Sequence, residues 1–343
     1  MPTAKTPTTS RTGRTRRSLR GWGGVAGTAA AVALTAALLP GLAGDDRQDG
    51  AADERAAGGA VAAQPATAAK SGQEDCDTPE ASLRPSATAS GDGVQRILDR
   101  KPQHLIVGID QNSYQWGYRN PLTGQLEGFD IDLARAIAGE ILGPGGEDKV
   151  VFRSIPTSQR IPALQDKDVD IVVRTMTINC ERIEDVAFST EYFTGDQAVL
   201  APADSGITGF DESLAGKRVC TAEGSTGEDA LTEESYGAQV KTVPNQLDCL
   251  VRVQLGKADA VVTDNALAAG QAAQDPSMKL FGTLNRPEPY GVAMNIDDHD
   301  LVRRVNKLLE DYRKDGRWMD SYDEWLADAM PGIKGPPDPA YKD

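Results

Sequence analysis

Histidine is all but missing from this chain. His104 and His299 are the only two in 343 residues, and neither has a partner at metal-ligand spacing, so no metal site and no metal cofactor is expected. Cysteine is scarce as well, four in all, and none precedes Cys76. Positive charge falls short: 36 Lys and Arg face 51 Asp and Glu, a net charge of −15. Six of the cations lie in residues 1–20, which hold no acid, so the remainder is more acidic still. A body of that sign does not attract nucleic acid or anionic lipid through its general field. The length leaves room for two domains once tails are removed.

The basic residues 11–20 run into an uncharged, Ala-rich stretch, Gly21 to Gly44. A charged n-region before an apolar h-region is the layout of an export signal over residues 1–44. Thr15-Arg16-Arg17-Ser18-Leu19-Arg20 resembles a twin-arginine signal, and Ala43 with Gly41 offers small residues for cleavage. The alternative is an uncleaved membrane anchor through residues 21–44, since roughly 20 apolar residues span a bilayer. No cysteine stands at the end of the run to take a lipid. Either way the body of the protein is extracytoplasmic, where cysteines pair. Residues 45–94 have hardly any large apolar side chain and read as a disordered tether, with Cys76 the one position that could be fixed.

The folded part reads as alternating elements. Val94–Arg100 is a short helical turn, and His104–Asp110 is a buried strand ending on a carboxylate. Tyr114, Trp116 and a turn at Asn120–Gly124 precede a helix opened by Gly128. In that helix Ile131, Ala134, Ile137, Ala138 and Ile141 keep helical spacing. A strand at Val150–Phe152 follows, then a helix over Thr157–Gln165 with Thr157 as candidate cap and Pro162 in its first turn. Val169–Val173 is short and rich in β-branched residues, a third strand. The β-α-β-α-β order predicts an α/β fold with a parallel or mixed sheet covered by helices.

Chemistry gathers just past that third strand. Arg174, Thr175, Thr177, Cys180 and Arg182 follow it directly, where an open α/β sheet forms its ligand crevice. Two guanidiniums and two hydroxyls make a socket for a small carboxylate, which Arg grips at two points. The competing reading pairs Arg182 with Glu181 or Glu184 at the surface and lets the threonines cap a turn. A similar unit recurs later: a helix over Gln246–Leu255, a Lys257-Ala258-Asp259 turn and a strand Ala260–Thr263 ending on Asp264. Two similar lobes facing across a cleft are the expectation. Between them Lys217–Thr221 is a strand, and Gly224-Ser225-Thr226-Gly227 opens a helix at Glu228. That loop is either an anion site or an ordinary Ser/Thr cap. Tyr290–Met294 is a further strand, Leu301–Tyr312 an amphipathic helix, and Trp318 and Trp325 anchor the last helix. Residues 331–343 form a Pro-rich tail, on the surface or disordered.

Seven stretches in one order now carry a resemblance: Leu105–Asp110, Gly128–Leu133, Arg160–Leu164, Thr175–Arg182, Gly224–Gly227, Asp259–Asp264 and Pro289–Val292. Together they resemble the extracytoplasmic solute-binding proteins that serve ABC importers of polar amino acids, over about residues 95–330. The nearest resemblance is to actinobacterial glutamate/aspartate/glutamine-binding proteins with cysteines in both lobes. The resemblance implies a type II periplasmic-binding-protein fold, two α/β lobes joined by two hinge strands near Leu200 and Tyr290, with the ligand cleft between them. Lobe 1 would be residues 95–198 plus 292–330, and lobe 2 residues 199–291. The implied disulfides are Cys220–Cys249 within lobe 2 and Cys76–Cys180.

The same resemblance assigns roles. Arg182, with Thr177 beside it, matches the holder of the ligand α-carboxylate; Thr175 matches the position at its α-amino end; Asp264 matches the acid that neutralises the ammonium. Ser225 and Thr226 match the lobe 2 loop that completes the carboxylate grip. Thr157 and Arg160 match positions that hold a side-chain carboxylate. Asp110 stands where members vary, and Arg174 stands where glutamine binders often have a small residue. Three cations (Arg160, Arg174, Arg182) against two acids (Asp110, Asp264) balance a ligand with two carboxylates and one ammonium, so glutamate or aspartate is expected ahead of glutamine or asparagine. The expected partner is an importer permease or, alternatively, a membrane sensor protein, and the expected state is a monomer. An enzyme on the same fold, such as a lyase, needs an unpaired acid or base within reach, and Glu223 is the only loose candidate. No catalytic residue is assigned.

Overall fold

The computed structural model describes residues 76–343. The expected export signal or anchor, and the tether as far as residue 75, lie outside the described residues. Among the described residues no helix is long and apolar enough to cross a membrane.

Two five-stranded sheets organise the chain, and they have the same plan. In the first, Val150–Ser154, Leu105–Ile109 and Ile171–Val172 run parallel, then Ala293–Asn295 and Val186–Phe188 continue antiparallel. In the second, Gln239–Val243, Arg218–Ala222 and Ala260–Asp264 run parallel, then Phe193–Pro202 and Met278–Tyr290 continue antiparallel. The duplication anticipated from the two Lys–Asp turns is therefore a duplication of whole sheets. A small three-stranded sheet, Asn112–Ser113, Gly117–Arg119 and Leu126–Glu127, sits beside the first.

The inner strands of each sheet are buried on both faces, as parallel strands with crossover helices require, while the outer strands Val150–Ser154 and Gln239–Val243 are largely exposed. On lobe 1 the helices Phe129–Leu142, His299–Lys314 and Arg317–Trp325 cover one face and build a core around Trp116, Phe129, Phe193 and Trp318. The short helix Arg160–Gln165 closes the other face with Leu164, Val169, Met176 and Phe188. Lobe 2 has two smaller cores of mostly aliphatic side chains. Its Cys220 and Cys249 are bonded, as expected, and join the strand Arg218–Ala222 to the helix Gln246–Gln254.

The strands Phe193–Pro202 and Met278–Tyr290 link the lobes and contain the positions, Leu200 and Tyr290, near which the resemblance placed the two hinge strands. They pair antiparallel from Phe193↔Tyr290 to Pro202↔Met278. Phe193 and Tyr290 pack in the lobe 1 core, whereas Val199 and Leu200 pack in lobe 2. Pro287 and Pro289 are tolerated because this strand is the edge of its sheet. The strand expected at Tyr290–Met294 is thereby split between two sheets.

Residues 76–94 correct the tether expectation. Cys76 is bonded to Cys180, and Ala81 and Ser82 are buried. The Ser82 hydroxyl donates to Phe188 O at 2.6 Å and accepts from Asn306 Nδ2 at 2.9 Å, and Ser82 bridges Tyr341 of the C-terminal tail. The helix Asp92–Asp99 buries Val94 and Ile97. A disulfide and main-chain pairing fix a segment too poor in apolar residues to fix itself.

Candidate functional site

Where the sheets face one another, nine of the ten site candidates line a single narrow cavity. Lobe 1 contributes Thr157, Arg160, Arg174, Thr175, Thr177 and Arg182; lobe 2 contributes Ser225, Thr226 and Asp264, with Gln246 and Leu267 completing the wall. Asp110 is the exception, because it stands behind Arg174 rather than on the cavity. Its carboxylate accepts from Arg174 Nη2 at 3.2 Å, the Ser113 hydroxyl at 2.9 Å and the Asn112 N–H at 2.9 Å.

The three arginines differ in how they are answered. Arg174 is paired with Asp110, and its Nη1 donates to the Thr157 hydroxyl at 2.9 Å. Thr157 is therefore not the helix cap expected of it; no cap bond forms, and its oxygen serves Arg174 instead. Arg160 and Arg182 have only main-chain carbonyl partners: Arg160 Nε donates to Thr157 O (2.9 Å) and Arg182 Nη1 to Thr177 O (2.9 Å). Both then reach across the cleft to Gly224 O, at 3.1 and 3.2 Å. Arg182 is buried, and among the described residues no ion pair joins it to Glu181 or Glu184, so the surface-pair alternative falls. Burial, then the neighbouring arginines, lowers the Arg160 pKa well below its ordinary value; burial lowers that of Arg182. Two buried guanidiniums without a protein carboxylate are a standing demand for an anion.

Gly224 makes the crossing possible. Its φ is +72°, and a Cβ there would lie 3.0 Å from the Cα of Ser158 on the opposite lobe. Next to it Ser225 is an ordinary cap, accepting from Glu228 N–H at 3.3 Å while its hydroxyl donates to Ala222 O at 2.6 Å. The helix begins at Thr226, so its first N–H groups face the cleft end of the loop. The cap alternative for this loop is thus realised.

Thr175 is held at φ +41°, a conformation that costs a β-branched residue roughly 1–3 kcal/mol. Its N–H donates to Asp130 Oδ2 and the Tyr192 hydroxyl, each at 3.2 Å, which leaves its carbonyl and hydroxyl for a ligand. Asp130 is fully buried, and burial pushes its pKa up to about 7.

Opposite the arginines stand two acids. Asp264 ends the strand Ala260–Asp264 and accepts from Gln197 Nε2 at 2.7 Å and the Tyr290 hydroxyl at 2.8 Å. Glu288, which sequence reading missed, is buried on the linking strand one layer behind the wall. It accepts from the hydroxyls of Thr177 and Thr226 and from Gln197 Nε2. Burial and the Asp264 charge push it up to about 7, and burial raises Asp264. The signal was present, since Glu288 precedes Pro289-Tyr290, but nothing local tied it to the cleft. Glu223 is exposed and lines no part of the cavity. Among the described residues no cluster of three or more His, Cys, Asp or Glu is placed to hold a metal ion.

The family model for bacterial extracellular solute-binding proteins, family 3, matches residues 105–328. The chain belongs to that family. Among curated relatives, the ABC transporter glutamine-binding protein GlnH of Bacillus subtilis is 34% identical over 65% of this chain and 81% of its own length. The glutamate-binding protein GluB of Corynebacterium efficiens is 27% identical over 66% and 79%. Among solved structures, an ancestral arginine-binding protein bound to glutamine aligns with a TM-score of 0.60 and 36% identity, over 65% of this chain and 97% of that one. The fold is the two-lobed, type II one expected of this solute-binding protein.

Proposed function

We propose that this solute-binding protein captures an acidic or polar amino acid outside the cytoplasm, glutamate or aspartate ahead of glutamine or asparagine, and delivers it to an ABC importer. One observation carries the ligand class: Arg160 and Arg182 are buried at the cavity without a protein carboxylate to pair them, while Arg174 is already answered by Asp110. In this reading Arg182, Thr177 and the start of the Thr226 helix take the α-carboxylate. Asp264 and the Thr175 carbonyl take the ammonium, and Arg160 takes the side-chain carboxylate with Thr157 and Arg174 behind it. The glutamine- and glutamate-binding relatives support the ligand class, and the ABC-transporter relative supports the partner.

A thermal-shift screen of the twenty amino acids tests this reading. A true ligand at 100 times its dissociation constant adds about 2.7 kcal/mol of stability. Glutamate or aspartate is expected to give the largest rise in Tm. A screen in which no acidic or amide amino acid raises Tm contradicts it.

A further inference from the structure

We propose that Glu288 is a protonatable positioning residue: it takes up a proton when a ligand of net negative charge is captured, and so governs how the cavity discriminates an acidic from a neutral amino acid. The proposal rests on the amino-acid-binding reading above and adds to it a residue behind the cavity wall.

Its place in the fold carries the argument. Glu288 lies opposite Gly195 on the paired strands that join the lobes, and it is 4% exposed. Its Oε2 accepts the Thr177 hydroxyl from lobe 1 and the Thr226 hydroxyl, at 3.0 Å, from lobe 2. Its Oε1 accepts Gln197 Nε2 at 3.0 Å, and the same amide nitrogen donates to Asp264 Oδ1 at 2.7 Å. One carboxyl thus gathers a hydroxyl from each wall and shares an amide with the site's other acid. The charged and titratable groups around it are Arg160 and Arg182 from lobe 1, Asp264 from lobe 2, and Tyr290 on its own strand. Among the described residues no cation pairs with it.

Charge supplies the drive. With Glu288 ionised, Arg160, Arg174 and Arg182 are matched by Asp110, Asp264 and Glu288, and the site suits a ligand of zero net charge. Glutamate brings one further negative charge into a closed, low-dielectric space, and a proton from solvent onto Glu288 Oε2 removes the excess. The hydroxyls carry the effect to the cavity. An ionised Glu288 takes the hydrogens of both Thr177 and Thr226, which turns oxygen lone pairs toward the ligand. A protonated Glu288 donates to one of them, and that hydroxyl's own hydrogen is then free to bond a ligand carboxylate. The displaced value of about 7 for the free protein puts this change within physiological pH.

Calorimetry of glutamate and glutamine binding at pH 8, in two buffers of different ionisation heat, reads the proton directly. The wild-type protein is expected to take up close to one proton per glutamate and much less per glutamine. Its affinity for glutamate relative to glutamine is expected to fall toward about tenfold per pH unit above pH 7. Glu288→Gln, whose amide N–H imitates the protonated acid as a donor, is expected to bind glutamate without proton uptake and with a flat ratio. Absence of uptake with glutamate in the wild type, or the same uptake in the variant, overturns the role of Glu288 while leaving the amino-acid reading standing. Failure of any amino acid to bind overturns both. The wild-type measurement does not depend on how well the variant folds.

Discussion

The two lobes share one sheet plan and divide the chemistry between them. Lobe 1 supplies every arginine of the cavity: Arg174 just past the strand Ile171–Val172, Arg160 on the helix Arg160–Gln165 and Arg182 on the short helical turn Arg182–Glu184; lobe 2 and the linking strand supply Asp264, Glu288 and a helix start. Neither lobe alone can satisfy a ligand that carries both carboxylate and ammonium. The lobes also differ in how they are stabilised. Lobe 1 has a large aromatic core around Trp116, Phe129, Phe193 and Trp318, whereas the lobe 2 cores are small and mostly aliphatic, and a disulfide ties strand to helix. The lobe 2 disulfide lies inside its small core, whereas the lobe 1 disulfide, Cys76–Cys180, ties down the N-terminal segment.

The division of charge gives the largest expected effect. Arg182→Ala leaves the ligand carboxylate and the lobe 2 loop without their shared cation. It is expected to weaken binding by about 3–5 kcal/mol, two to four orders of magnitude, in calorimetry with little change in Tm. The contrast in stability is next. Replacing Cys220 and Cys249 by Ser is expected to cost lobe 2 about 3–4 kcal/mol by denaturant unfolding, whereas loss of one aliphatic contact in lobe 1 costs less. Asp130 sharpens the contrast through pH. Its pKa in the fold is raised to about 7, so the folded state holds a proton that the unfolded chain releases above about pH 4. Stability from this group is full below that point and declines as pH rises to 7. Asp130→Asn should flatten the decline by on the order of 1–3 kcal/mol in the pH profile of Tm. The smallest effect is at the crossing point. Gly224→Ala places a methyl against Ser158 and strains a positive φ, and is expected to weaken binding roughly tenfold by disfavouring closure, with each lobe's own hydrogen exchange unchanged.

Much of the site was legible because its residues are local. Arg174, Thr175, Thr177 and Arg182 follow a recognisable strand within a few positions, and Asp264 ends a second one in the same way. The two disulfide pairs that the resemblance implied are both bonded. What escaped is non-local. The linking strands Phe193–Pro202 and Met278–Tyr290 were placed near Leu200 and Tyr290 by the resemblance alone; their full extent escaped, because they carry glycine, proline and mixed polarity and are defined by pairing with each other. Glu288 is invisible for the same reason, since its hydroxyl partners lie 111 and 62 residues away in sequence. The charge count made without it found the arginine excess but not the proton that the excess depends on. Residues 76–94 escaped because a disulfide and one strand-like bridge, Ser82 to Tyr341, fix them, and composition alone registers neither.

The account turns on buried arginines of one lobe waiting for an acidic ligand. Isothermal titration of the protein at pH 6, below the raised value of about 7 at Glu288, against glutamate, aspartate, glutamine and asparagine tests that claim most directly. Glutamate or aspartate is expected to bind more tightly than both amides. Tighter binding of glutamine than of both acids contradicts it.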